Sequence, residues 1–239
     1  MTMKIFCVGM NYALHNQELT RKIGETEGIS IPSSEASGCD TTKKHGDPTI
    51  FLKPDTALLR SDWPFYIPDF SNEVEYETEL VVRINRLGKG IPARFAYRYY
   101  DEVTLGIDFT CRDLQRQLKA KGLPWEISKG FDNSAFCGEW IKLHDLGIIR
   151  KNEGTIPSDK TIQDLHFEMQ LNGQLRQKGF TGDMLHSVDE IIEYISRFYL
   201  LKMGDLIFTG TPAGVGQLHE GDLITAQLEG QQVLECRIR

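Results

Sequence analysis

The chain has 239 residues, 40% of them apolar and 26% charged, with a formal net charge of −7. That profile fits a folded protein with a sizeable core and excludes the basic surface that nucleic acid or an anionic membrane requires. No window approaches the roughly 18 apolar residues of a membrane span, so small molecules and protein subunits are the expected partners.

The opening MTMKIFCVGM lacks the charged-then-apolar pattern of a secretory signal, which leads to a cytoplasmic expectation. Its apolar residues, 3–10, predict a strand ending at Gly9, and NYALHNQELT predicts a helix on which His15 and Glu18 sit three apart, close enough to meet. Either the carboxylate orients the imidazole as a general base, or the two are an exposed helix pair. From 21 to 48 the composition turns to Gly, Ser, Thr, Glu and Lys without an apolar period, predicting a long loop of the kind that forms lids or spacers. TIFLKP is the next strand. After a Pro- and Asp-rich stretch comes VEYETELVVRI, read as one strand.

Glu73, Glu75, Glu77 and Glu79 alternate there, so a side-chain period of two puts all four on one face. Like charges side by side destabilise a sheet unless something compensates them. A divalent cation would do so; charges that guard a solvated edge strand against aggregation are the other reading. The apolar run LVVRI puts Glu77 and Glu79 nearest the buried part of the strand and makes them the better ligand candidates. Oxygen donors without paired histidines favour Mg²⁺, Mn²⁺ or Ca²⁺ over zinc or copper.

ARFAYRYY, 93–100, predicts a helix, and VTLGIDFTCRDLQRQLKAKG a strand that gives way to a helix after Asp108. Asp108 at the strand end is a third candidate ligand or a helix N-cap. Arg112 and Gln115 share the helix face beyond it; an arginine there grips a substrate carboxylate or makes a surface ion pair with Asp101, Glu102 or Asp113. Lys129, in ISKGFDN, is a desolvated electrostatic group or a lysine reaching for water. Asn172-Gly173 marks a hairpin. SVDEIIEYISRFYLL is an amphipathic helix with Ser187 as N-cap. DLIFTG, DLITAQLEG and QVLECRIR return to strands. TGTPAGVG at 209–216 is an anion cradle or a plain turn; it lacks the endings of a P-loop or dinucleotide fingerprint. The five cysteines, at 7, 39, 111, 137 and 236, form no C-x-x-C pair and read as reduced thiols. The order of elements predicts a mainly β protein with some α, divided into an N-terminal region, 1–70, that carries the lid segment and a catalytic domain, 71–239.

VGMNYALHNQEL, VEYETELVV, GIDFTCRDLQ, KGLPWEISKGFD, LNGQLRQ and GDLIFTGTPAGVG together, in this order and at these intervals, resemble the fumarylacetoacetate hydrolase family over nearly the whole chain. The resemblance implies a mixed β-sandwich roll, commonly in homodimers. It implies Mg²⁺ or Mn²⁺ on Glu77, Glu79 and Asp108, substrate contacts from Arg112, Gln115 and Lys129, and Thr209 in the same pocket. KGLPWEISK and the His15/Glu18 pair look most like the branch with acylpyruvate hydrolases and oxaloacetate decarboxylases, where a His-Glu dyad in a closing lid activates water. The longer 21–48 segment departs from that branch, as does Cys111 within its motif. The expected activity is metal-dependent C–C hydrolysis or decarboxylation of small 2-oxo or 2,4-dioxo carboxylates. A 2-hydroxyhepta-2,4-diene-1,7-dioate isomerase or decarboxylase ranks second, and a non-catalytic cation-binding module is the answer of another class.

Overall fold

A computed structural model describes residues 3–16, 46–149 and 158–239. Its largest sheet runs β2 (Thr49–Lys53), β1 (Ile5–Gly9), β11 (Leu206–Phe208), β4 (Thr78–Ile84), β5 (Tyr100–Asp108) and β7 (Ala135–Cys137), with β8 (Ile141–Lys142) also paired to β5. Only β1 and β11 are parallel neighbours in it. Strands from both sides of residue 70 therefore join in one sheet. A second sheet contains β10 (Gln174–Phe180), β9 (His166–Leu171), β13 (Leu223–Leu228) and β14 (Gln231–Arg237); β12 (Gly216–Gln217), β3 (Val74–Tyr76) and β6 (Thr110–Cys111) form a third. The mainly β expectation holds.

VEYETELVVRI is two strands rather than the single one expected. β3 and β4 lie in different sheets and separate at Glu77, and their partners β6 and β5 separate at Phe109, at the same level. Corners of this kind let one ribbon feed two packed sheets. The backbone groups freed at the corner are met locally: Asp108 N donates to Glu77 O at 2.8 Å, Phe109 N to Ser134 O at 2.9 Å, and Thr78 N to the Gln177 side-chain oxygen at 3.0 Å. The corner is thus held by hydrogen bonds, and it is where the acidic side chains gather. Beyond it Leu80, Val81 and Val82 are fully buried, as their unbroken apolar run requires of a strand covered on both faces.

Among the described residues, 13–16 are helical, and four complete helices flank the sheets: α1 (Ala93–Ala96), α2 (Arg112–Ala120), α3 (Glu126–Lys129) and α4 (Val188–Phe198). The helix expected over 93–100 is shorter, because after α1 and a 3₁₀ turn the chain enters β5 at Tyr100. α4 begins as read: Ser187 Oγ accepts from Glu190 N, and Ser187 N donates to Glu190 Oε2 at 2.8 Å. β9 and β10 meet at Asn172 (φ 54°) and Gly173 (φ 77°), the left-handed pair that a two-residue hairpin demands. Cys7, Cys111, Cys137 and Cys236 are free thiols. Burial pushes Cys111 up to about 11, so it stays protonated as an apolar filler. No helix among the described residues is long and apolar enough to cross a membrane.

Candidate active site

The corner and α2 bring together most of the residues singled out from the sequence. Carboxylate oxygens of Glu77, Glu79 and Asp108, all buried, lie within 4.8 Å of one another. Arg112 opens α2 and points back over the corner. Its Nε donates to Glu75 at 2.7 Å, its Nη1 to Gln115 Oε1 at 2.6 Å, and its Nη2 to Glu77. Asp113 turns the other way, to Ser71 Oγ and the Asn72 N–H. Asp108 does not cap this helix; the N-cap is Cys111, without a side-chain bond. Lys129 is 3% exposed, so it does not reach for water: its Nζ bridges Glu77 Oε2 at 2.7 Å and Asp108 Oδ2 at 2.8 Å.

Three participants had no site role assigned from the sequence. Glu75 shares Arg112 with Glu77. Lys53, at the end of β2, lies 2.8 Å from Asp108 Oδ1 and donates to the Lys129 carbonyl and to Ser134 O and Oγ. A lysine closing the apolar strand TIFLK was the available signal. Gln177 pins the corner through Thr78 N, and its amide also donates to Thr211 Oγ1 at 2.8 Å. Glu73 lies outside the cluster and pairs with Arg116.

The electrostatics separate the acidic groups. Four buried carboxylates (Glu75, Glu77, Glu79, Asp108) face three buried cations (Lys53, Arg112, Lys129). Glu79 is the one left over: it accepts Gly210 N–H at 2.6 Å and has no cationic partner among the described residues. Burial, then the charges of Asp108 and Glu77, push its carboxyl well above the ordinary range. Glu77 goes the other way; burial raises it, but Lys129, Arg112 and His15 together hold it below that range. For Lys129, burial works against the charge and Asp108 and Glu77 outweigh it, so the ammonium is held above its usual value.

Glu77, Glu79, Asp108, Arg112 and Lys129 line a recess with Val8, Gly9, Met10, His15, Phe51, Gln115, Lys119, Trp125 and Thr211. Its free volume is about 30 Å³, room for an ion or a water molecule. A carboxylate offers about four acceptor positions. Protein contacts engage both oxygens of Glu77 and Asp108 and one of Glu79, leaving capacity for a cation. A buried all-oxygen donor set with an uncompensated charge fits a hard divalent ion. Two larger clefts, of about 500 and 550 Å³, bring no comparable set of ionisable groups together.

His15 lies in the recess wall, whereas Glu18 and most of the 21–48 segment fall outside the described residues. Thr209 is adjacent but not in the lining: its hydroxyl donates to Leu80 O at 2.9 Å, and Thr211 is the threonine that reaches the recess. The glycine turn offers its Gly210 N–H to the protein's own Glu79. Gly210 sits at φ +97°, and a Cβ there would come 2.7 Å from that of Asn11, whose amide holds the turn through Thr209 O at 2.7 Å.

The chain is 38% identical over 231 residues to the mitochondrial oxaloacetate decarboxylase of Dictyostelium discoideum, covering 95% of this chain and 89% of that protein. It is 34% identical over 230 residues to an oxaloacetate tautomerase of Escherichia coli, covering 96% and 90%. The crystal structure of fumarylpyruvate hydrolase from Pseudomonas aeruginosa in complex with Mn²⁺ and pyruvate superposes with a TM-score of 0.77 at 30% identity, covering 98% of this chain and 88% of that one. With residues 4–239 also matching the profile described as fumarylacetoacetate (FAA) hydrolase C-terminal, this enzyme and its mixed-sheet fold belong to the fumarylacetoacetate hydrolase family.

Proposed function

We propose that this enzyme carries out divalent-metal-dependent chemistry on small 2-oxo carboxylates, cleaving the C–C bond of oxaloacetate or of a 2,4-dioxo acid. The observation that carries the reading is Glu79, a buried carboxylate beside Glu77 and Asp108 with no ion-pair partner among the described residues. Mg²⁺ is the resident ion we assign, with Mn²⁺ or Ca²⁺ able to replace it. When bound by those three residues it supplies Lewis acidity to a chelating 2-oxo acid.

The chain's own groups do the rest. Arg112 spends three of its five N–H donors on Glu75, Glu77 and Gln115, which leaves two for the substrate 1-carboxylate. Gln115 gives its oxygen to Arg112 and keeps its NH₂ as a donor toward the recess. Lys129 keeps positive charge beside the carbon skeleton as negative charge develops on it. His15, paired with Glu18 in this reading, takes the proton of the attacking water in hydrolysis; decarboxylation does not need that step. Thr209 acts from behind the recess by fixing the turn that carries Gly210. A non-catalytic cation site would not need the free donors of Arg112 and Gln115, or His15, on the recess wall.

Keto-enol isomerisation is the second reading, favoured by the Escherichia coli relative's name, oxaloacetate tautomerase. It needs the same electron sink and a group that moves a proton at C3, a role we assign to His15, which lines the recess. Location in the cytoplasm and a homodimer complete the proposal. The test measures oxaloacetate decarboxylation, oxaloacetate enol-to-keto conversion and acetylpyruvate cleavage side by side, with Mg²⁺ and with EDTA. Glu77→Gln is expected to abolish all three, and His15→Ala to harm acetylpyruvate cleavage most. Equal rates in wild type and both variants, or rates indifferent to EDTA, would refute the assignment.

A further inference from the structure

The inner cluster accounts for the head of a 2-oxo acid; the rim carries a cation that the chemistry there does not use. Arg112, Gln115 and Lys119 follow one another at spacings of three and four, so they lie along one face of α2. The first two are buried at the cluster and Lys119 is exposed, one turn further out, where it lines the same recess. Its Nζ stands 5.0 Å from the centre of the Trp125 ring, and no carboxylate pairs with it among the described residues. Trp125 is fixed in turn: its ring meets Phe51 edge-on at 5.9 Å, and its carbonyl accepts the Lys129 N–H at 3.1 Å. An ammonium held against a braced aromatic ring loses less freedom on meeting an anion than one on a free stem. Desolvation, then the charges of Arg112 and Lys129, outweigh that of Glu77 and lower its pKa.

Resting on the functional reading above, we propose that Lys119 determines specificity by binding the second, distal carboxylate of a dicarboxylic 2-oxo acid. Dianions such as oxaloacetate are then preferred over 2-oxo acids with a neutral tail. The inner cations are already engaged by Glu75, Glu77 and Asp108, so a second carboxylate that entered there would displace a buried ion pair, whereas at the rim it meets a cation that no carboxylate pairs with among the described residues. Phe51, against Lys129, and Trp125, against Lys119, meet each other and supply apolar surface between the two ends.

The test compares oxaloacetate with 2-oxobutanoate, in which a methyl group replaces the distal carboxylate. Stopped-flow tryptophan fluorescence with saturating Mg²⁺ reads binding before turnover. Lys119→Met is expected to cut the preference for oxaloacetate over 2-oxobutanoate about tenfold, the worth of one charge-assisted contact at a half-open site. Lys119→Arg is expected to retain most of it. If Lys119→Met weakens both ligands equally, the lysine only shapes the recess; if it weakens neither, the carboxylate binds elsewhere. Either result overturns the assignment. A wild type that binds neither ligand would instead overturn the functional reading, and this assignment with it.

Discussion

Replacing Glu79 by glutamine removes a buried acidic group that has no cationic partner among the described residues while keeping an oxygen for the Gly210 N–H. Glu79 is 2% exposed. A charge left unpaired at that depth costs at least about 2 kcal/mol in the metal-free protein. In a domain of this length, about 2 kcal/mol corresponds to a Tm change of about 5 °C. The sign with pH follows from the raised carboxyl: its contribution to stability is fully present below the ordinary value of 4.5 and is lost as pH rises through the higher folded value. In EDTA, Glu79→Gln should therefore melt above wild type near about pH 8, with the gap closing toward about pH 5. Adding Mg²⁺ at about 100 times its Kd should reverse the order, because wild type gains about 3 kcal/mol and the variant little. Thermal unfolding followed by circular dichroism over that range reads both effects. A variant less stable than wild type in EDTA at every pH would mean that Glu79 is already compensated, and the argument for a cation would fail.

Arg112→Lys keeps the charge but cannot reproduce the fork to Glu75, Glu77 and Gln115; kcat/KM for oxaloacetate should fall about 100-fold, roughly 3 kcal/mol of transition-state binding, in steady-state kinetics. Gly210→Ala places a Cβ against Asn11 at a backbone angle L residues avoid, so urea unfolding should show a loss of about 1–3 kcal/mol, and calorimetry a weaker Mg²⁺ affinity as the Gly210 N–H shifts from Glu79. Ser187→Ala removes the cap of α4 and should cost about 1 kcal/mol in the same unfolding assay.

Local rules carried the strands, the 172–173 hairpin and the Ser187 cap, because each depends on residues a few positions apart. The ligand candidates were legible for a similar reason: alternation put Glu77 and Glu79 on one face, and the switch of period after Asp108 marked the strand end. The corner at Glu77 was not legible. Nothing in VEYETELVVRI announces a change of sheet; it depends on Gln177, about a hundred residues away, taking the Thr78 N–H. Lys53 and Glu75 were missed for the same cause, since a lysine or glutamate is a buried ion-pair partner only when a distant segment folds over it. Thr209 and Thr211 differ by two positions in one turn, and only the backbone path decides which threonine lines the recess.

The most direct test is a crystal grown with Mn²⁺ and oxalate, measured for anomalous scattering. We expect one strong peak bounded by oxygens of Glu77, Glu79 and Asp108, at the roughly 2.2 Å typical of a hard divalent ion, with oxalate between it and Arg112. A recess without a peak, or an ion bound elsewhere while those three carboxylates keep only their protein partners, would contradict the account.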